Sequence, residues 1–169
     1  MVFSFVSFIL LVTLFRKSPS MLDKFDKAII RLLQQDGRMT VTALATQVGL
    51  SKTPCQIRMK KLEDMGYIKG YRALVDQSKL GNNHIAFVKV SLTDTKSSAL
   101  TAFNQEIQSI PEIEECHMVA GDFDYLLKVR TSNISTYRET LGEKISCLPY
   151  VKQTSSFVVM ENVKDALTK

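Results

Sequence analysis

Seven polar residues between Ser51 and Lys61 carry the most readable chemistry in this chain: Ser51, Lys52, Thr53, Gln56, Arg58, Lys60 and Lys61. Hydroxyl and ammonium groups of this kind bind phosphate oxygens, whereas the Gln56 amide and the Arg58 guanidinium have the donor geometry to read base edges in a major groove. Cys55, Met59 and Leu62 recur at i, i+4 and i+7, which on a helix makes one apolar stripe and turns the polar set to the other side. Charge placement agrees. Residues 51–72 hold six Lys or Arg against two Asp or Glu, while residues 73–169 hold ten against twelve, so the excess behind the net +5 is concentrated on this segment. A surface that neutralises phosphates needs such a concentration, because each neutralised phosphate releases counterions.

A second group of residues is suited to a small ligand. Gly121 permits a tight turn, and Asp122 and Asp124 beside it offer carboxylates for an α-amino group; the same pattern also describes a solvated hairpin turn. Thr154, Ser155 and Ser156 add hydroxyls further on. Cys55, Cys116 and Cys147 are odd in number with no C-x-x-C pair, as expected of reduced thiols in the cytoplasm, and Cys55 and Cys147 are expected on buried faces. Cys116 and His117 are strand neighbours pointing to opposite faces, so they do not share a metal site, and no partner is evident for His84. The chain has no nucleophile–base pair, metal-spaced His/Cys cluster or glycine-rich phosphate loop, which argues against an enzyme.

The positioning elements follow from periodicity. Leu22–Gln35 reads as a helix capped by Asp23, with Asp26 in its first turn and Leu22, Phe25, Ile29 and Leu32/Leu33 as its buried stripe. A second helix is capped by Thr40 or Thr42, carries Leu44 and Val48 on one face and stops at Gly49; Ser51 caps the third, basic helix. Two helices joined by a glycine turn, the second of them basic, form the pattern of a helix-turn-helix. Tyr67–Val75 reads as a strand that braces the third helix or pairs with its twin in a dimer, and Asp76–Asn83 as a polar hinge.

Beyond the hinge, Ile85–Thr93 alternates as a strand, Ser98–Ser109 is helical, and Ile113–Ala120 and Phe123–Thr131 are strands. A helix carrying Tyr137, Leu141 and Ile145 and a strand over Val151–Glu161 close the chain. The expected fold class is therefore α+β: an N-terminal helix-turn-helix, winged-helix-like domain over residues 21–72, a strand end and hinge over 73–84, and a ferredoxin-like βαββαβ domain over 85–165. Phe87 beside Val88, and Phe157 and Val159 beside Val158, make both strand faces apolar and predict burial by another copy.

Val2–Phe15 is nearly all apolar and precedes Arg16 and Lys17. It is shorter than the roughly 20 apolar residues of a membrane helix and lacks the basic start and cleavage site of a signal peptide. Residues 1–20 are expected to be an upstream extension, with translation starting at Met21, to be dispensable, and not to anchor the chain in a membrane.

Leu22–Arg38, the run VGLSKTPC, LEDMGYIKGYRALVD, IEECHMVAGDFDYLLKVR and LPYVKQTSSFVVMENVKD together resemble the Lrp/AsnC transcription regulators, in the same order from Met21 to Asp165. Lys52 stands where leucine-responsive members often have proline, and Gln56–Ile57 also departs from their pattern. The resemblance implies a homo-oligomer, a dimer or higher even assembly such as an octamer, that binds double-stranded DNA to regulate transcription of amino-acid metabolism. Its second domain would bind a small amino-acid effector between subunits, leucine being the first expectation, with no other cofactor. The family's response positions fall on Met118, Asp124, Ile134, Phe157, Val158 and Val159, with Gly121 and Asp122 completing the loop and Thr154 and Ser156 nearby. An architectural DNA-compacting protein without an effector is the alternative.

Overall fold

The computed structural model describes residues 22–164, so the expectations for residues 1–20 lie outside it. The chain divides into two units, with the division between Ala73 and Leu74.

The first unit holds α1 (Lys24–Gln35), α2 (Val41–Val48) and α3 (Lys52–Asp64). Asp23 caps α1 by accepting from the Phe25 and Asp26 N–H groups at 2.8 and 2.9 Å, while the Asp26 carboxylate accepts from the Asp23 N–H, a reciprocal capping box. The Thr40 hydroxyl caps α2, and Gly49 ends it at φ 74°, a backbone conformation favourable only to residues such as glycine. Ser51 has the N-cap backbone of α3, but its hydroxyl makes no cap hydrogen bond. Ile29, Leu44, Ala45, Cys55 and Leu62 form the buried core, with Leu32, Leu33, Val48 and Met59 half-buried around it. Phe25 departs from the expected stripe. It is half-buried, its ring lying under the Lys24 ammonium and the Arg58 guanidinium.

Residues 67–76 form bends and irregular backbone with no strand ladder inside one copy, so of the two expected roles only pairing with a twin in a dimer is left for this segment. A strand exists only when its N–H and C=O groups meet a partner, and no described segment pairs with this one. Tyr71 is tied back to α3 by donating its hydroxyl proton to Glu63 at 2.9 Å. The expected hinge is partly ordered: a 3-10 turn over Gln77–Leu80, capped by Asp76 and ended by Gly81 at φ 83°.

The second unit is a ferredoxin-like α+β sandwich of β1 (His84–Leu92), α4 (Ser97–Glu106, continued by a 3-10 turn), β2 (Ile113–Met118), β3 (Tyr125–Thr131), α5 (Ile134–Glu139, continued as a π-helix over Thr140–Ile145) and β4 (Val151–Val158). The antiparallel sheet has the order β2-β3-β1-β4. Ala86, Val88, Val90 and Leu92 of β1 and Tyr125, Leu127 and Val129 of β3 meet Phe103, Ile107, Tyr137 and Ile145 in a core between sheet and helices. Cys147 is exposed, against expectation: it follows the π-helix, whose extra residue per turn shifts the side chains after it out of the α-helical phase.

Candidate functional site

The exposed side of α3 carries Thr53, Gln56, Ile57, Lys60 and Lys61, with Ser51 and Lys52 exposed at its start. Cys55 and Leu62 are fully buried on the opposite side, so the stripe expected from spacing orients the helix. Ile57 was expected on the groove-facing side of the helix, though not among the named DNA contacts. It is 64% exposed beside Gln56, an apolar residue out of phase with the stripe and suited to a thymine methyl.

Arg58 requires a correction, since the expectation placed it with Gln56 nearest the base edges. Its Nη1 donates to Asp23 Oδ2 and to Asp26 Oδ1, both at 2.7 Å, and its guanidinium stacks over the Phe25 ring at 5.4 Å. Asp26 is 3% exposed, so its carboxylate needs a cation. The bond from the Asp26 N–H, followed by Arg58, holds the Asp23 carboxyl below its ordinary range; the Asp26 and Asp23 carboxylates together raise the Arg58 pKa. Arg58 thus braces α3 against the start of α1.

In the second unit the expected ligand residues divide between the two sheet faces. Thr154, Ser156 and Val158 stand opposite Val90, Val88 and Ala86 and share their helix-covered face, where the Tyr137 hydroxyl donates to Ser156. Met118 stands opposite Tyr125 on that face at the sheet edge, and Ile134 begins α5. Phe157 pairs with Phe87 on the open face, and the Val159 N–H donates to the Ile85 carbonyl. The loop from Val119 to Asp124, which contains Gly121, brings Asp122 over this open face, where its carboxylate lies 3.7 Å from Lys89 Nζ.

Asp124 also differs from its expected role. Its carboxylate accepts the Leu92 N–H at 2.7 Å, its own N–H donates to the Val90 carbonyl, and its carbonyl accepts from Val119. The residue pins the loop to β1, leaving Asp122 as the outward carboxylate. Lys89 escaped the sequence reading altogether. Only its place between Val88 and Val90 in an alternating strand marked it as outward-facing. An open groove between the ends of α4 and the π-helix, lined by Glu106, Ile110, Lys144 and Cys147 among others, contains none of these residues.

Among the described residues no group of His, Cys, Asp or Glu has metal-site geometry, and no helix is long and apolar enough to cross a membrane.

Residues 22–69 match the winged helix-turn-helix DNA-binding description, and residues 85–168 the Lrp/AsnC ligand binding domain. A proline dehydrogenase transcriptional activator of Rhizobium radiobacter is 59% identical over 144 residues, 85% of this chain and 92% of that protein. The chain belongs to the Lrp/AsnC family. This regulator is also 44% identical to the leucine-responsive regulatory protein of Escherichia coli K12, over 86% of this chain and 88% of that one. A transcriptional regulator of Neisseria meningitidis, solved as a complex with L-methionine, superposes with a TM-score of 0.79 at 30% identity, covering 85% of this chain and 93% of that one. The chain is accordingly a DNA-binding transcriptional regulator with a ligand-binding domain, not an enzyme.

Proposed function

We propose that the regulator acts in the cytoplasm as a homo-oligomer whose grip on duplex DNA is set by an amino acid, and that its targets include a gene for proline breakdown. The observation that carries the DNA part is the exposed side of α3 behind the Gly49 turn: Ser51, Lys52, Thr53, Lys60 and Lys61 take phosphates, and Gln56 and Ile57 take base edges. The proline target rests on the name of the 59% identical relative. Proline therefore joins leucine, the expectation from the sequence, as an effector to test first, and the L-methionine complex of the Neisseria protein supports an amino acid as the ligand class.

Assembly uses the open sheet face, where Phe87 is 37% and Phe157 52% exposed, and the segment carrying the exposed Leu74 and Val75. Two copies bury these surfaces, and dimers associate further to even assemblies such as an octamer. The effector sits around Met118, Gly121, Asp122, Ile134, Val158 and Val159, with Phe157 as an apolar wall, Thr154 and Ser156 in support and Asp124 holding the loop. An effector that fits one quaternary arrangement better than another shifts the population, and a coupling of about 1–3 kcal/mol changes operator affinity roughly 5–150-fold.

Fluorescence anisotropy on DNA from upstream of a proline dehydrogenase gene, with and without L-proline, L-leucine and the other amino acids, tests this reading. A change of affinity with at least one amino acid is expected. Tight binding that no amino acid alters would instead leave the architectural role.

A further inference from the structure

We propose that Arg130 is a positioning residue for the regulator's response: it locks the turn ahead of β1 to the sheet, so that a shift of β2 or β3 is carried into the chain leading to the DNA-binding unit. Its part in the response rests on the effector reading above; the anchoring itself does not.

The chain passes from the first unit to the second between Ala73 and Leu74, and the 3-10 turn over Gln77–Leu80 follows. That turn is closed on itself. The Asn82 N–H donates to the Gln77 carbonyl at 3.0 Å, and the Asn82 side-chain amide donates to Gln77 Oε1 at 3.4 Å. Among the described residues, the hydrogen bond that leaves the turn for the sheet comes from Arg130, whose Nη1 donates to the Asn82 carbonyl at 3.2 Å. The same guanidinium donates through Nε and Nη2 to the two carboxylate oxygens of Glu114. Five donors in one rigid plane let a single side chain hold both partners.

Glu114 reaches Arg130 because β2 is irregular there. A regular strand sends neighbouring residues to opposite faces, yet Glu114 meets Arg130 and Lys128 while Glu115 meets Lys128, all on the open face. The β2–β3 register shifts between Ile113 and Glu115, and this bulge re-aims the Glu114 carboxylate. The Arg130 side chain is 19% exposed, so water screens the pair less than it would at the surface. None of these groups has to face solvent, and the arrangement is compatible with a second copy over the open face.

β2 ends at Met118, where the effector reading places a ligand contact. A ligand that favours one position of β2 favours one position of the Glu114–Arg130 pair and, through Asn82, of the turn.

Hydrogen exchange and fluorescence anisotropy on the full chain test the anchor and the coupling separately. In Arg130→Gln the amides of Lys79, Gly81 and Asn82 should exchange about tenfold faster than in wild type, while those of Val88 and Val90 in β1 keep their protection. Glu114→Gln removes the charge that orients Arg130 and should give the same pattern at smaller amplitude; it decides alone if Arg130→Gln does not fold. Unchanged exchange of the turn overturns the anchor and the coupling with it. Anisotropy uses DNA from upstream of a proline dehydrogenase gene and whichever of L-proline, L-leucine and L-methionine shifts its wild-type affinity. Both variants should bind that amino acid, by calorimetry, and effector-free DNA much as wild type does, but the ratio of DNA affinities with and without the amino acid should fall toward one. A ratio that stays at the wild-type value overturns the coupling and leaves the effector reading standing; so does loss of amino-acid binding itself, which would put Arg130 in the ligand site. If no amino acid shifts wild type, the effector reading falls and the coupling with it, while exchange still decides the anchor.

Discussion

The two units solve the positioning of a site in different ways. Among the described residues the helical unit has five buried core residues, a small core for three short helices, so the orientation of α3 also draws on a polar network of Asp23, Asp26, Arg58 and Phe25 at the start of α1. The sheet unit has thirteen buried core residues among those described, and its strands are placed by packing and ladders; there a charged residue, Asp124, holds one loop. In both units the charged residue that spacing nominates as a ligand contact serves as a brace, and its exposed neighbours are left for binding. The brace should matter more where the core is smaller.

The largest effect that would sharpen this contrast is Arg58→Ala. It leaves the Asp26 carboxylate, almost fully buried, without its cation, and should destabilise the first unit by about 2–3 kcal/mol, less than a fully enclosed pair because Arg58 is itself part-exposed. Specific and random duplex should then lose affinity together. Gln56→Ala should leave the melting temperature unchanged and erode discrimination by about 1–3 kcal/mol. Denaturant melts and competition binding on both variants read the difference; an Arg58→Ala protein of normal stability that loses only discrimination would break the brace reading.

In the sheet unit the corresponding change is Asp124→Ala, expected to cost about 1–2 kcal/mol through the Leu92 N–H it leaves unpaired at the end of β1. Asp124→Asn keeps an acceptor and should recover part of the stability. Effector sensitivity should fall in the Ala variant, because Asp122 and Phe123 lose their fixed position. Urea unfolding beside effector-dependent anisotropy measures both quantities, and a sensitive Asp124→Ala protein of unchanged stability would contradict the role assigned to the loop.

The helices of the first unit and the βαββαβ order of the second were legible because local rules govern them: Asp23 and Thr40 are caps, Gly49 is a left-handed stop, and Val88 and Val90 alternate. What was not legible depends on contacts distant in sequence. Arg58 meets Asp23 and Asp26 more than 30 residues earlier, and Asp124 meets Leu92 at a comparable separation, so spacing within one segment could show only that these residues are charged. The strand expected over 67–75 has no partner among the described residues of one copy, and its expected pairing with a twin needs a second chain. β-propensity describes a segment fit for pairing, and pairing requires a second segment. Lys89 went unnoticed because its aromatic neighbours come from the loop before β3 and from β4.

A smaller effect is expected at the exposed cations of α3. Lys60→Ala or Lys61→Ala should leave stability unaltered and weaken all DNA about equally, flattening the logarithmic salt dependence by roughly one unit. A steeper loss on specific DNA would move these lysines from phosphate to base contact.

The smallest effect concerns Tyr71, a second tie between α3 and the chain that follows it. Its hydroxyl donates to Glu63, its ring lies against Gly37, and burial, reinforced by the Glu63 carboxylate, pushes the phenol pKa up to about 12. An unfolded chain releases this proton near pH 10. Between about pH 10 and 12 the folded state therefore holds a proton that the unfolded state has lost, and stability falls as pH rises. The contribution is fully present below pH 10 and disappears through the folded value. Tyr71→Phe removes it, so the variant should melt lower than wild type at neutral pH but lose less on going to pH 11. The difference between the two slopes isolates Tyr71 from the lysines and other tyrosines that titrate in the same range. Parallel slopes would show that the segment after α3 is held by something other than this bond, and would leave the Arg58 network as the only polar brace assigned to α3.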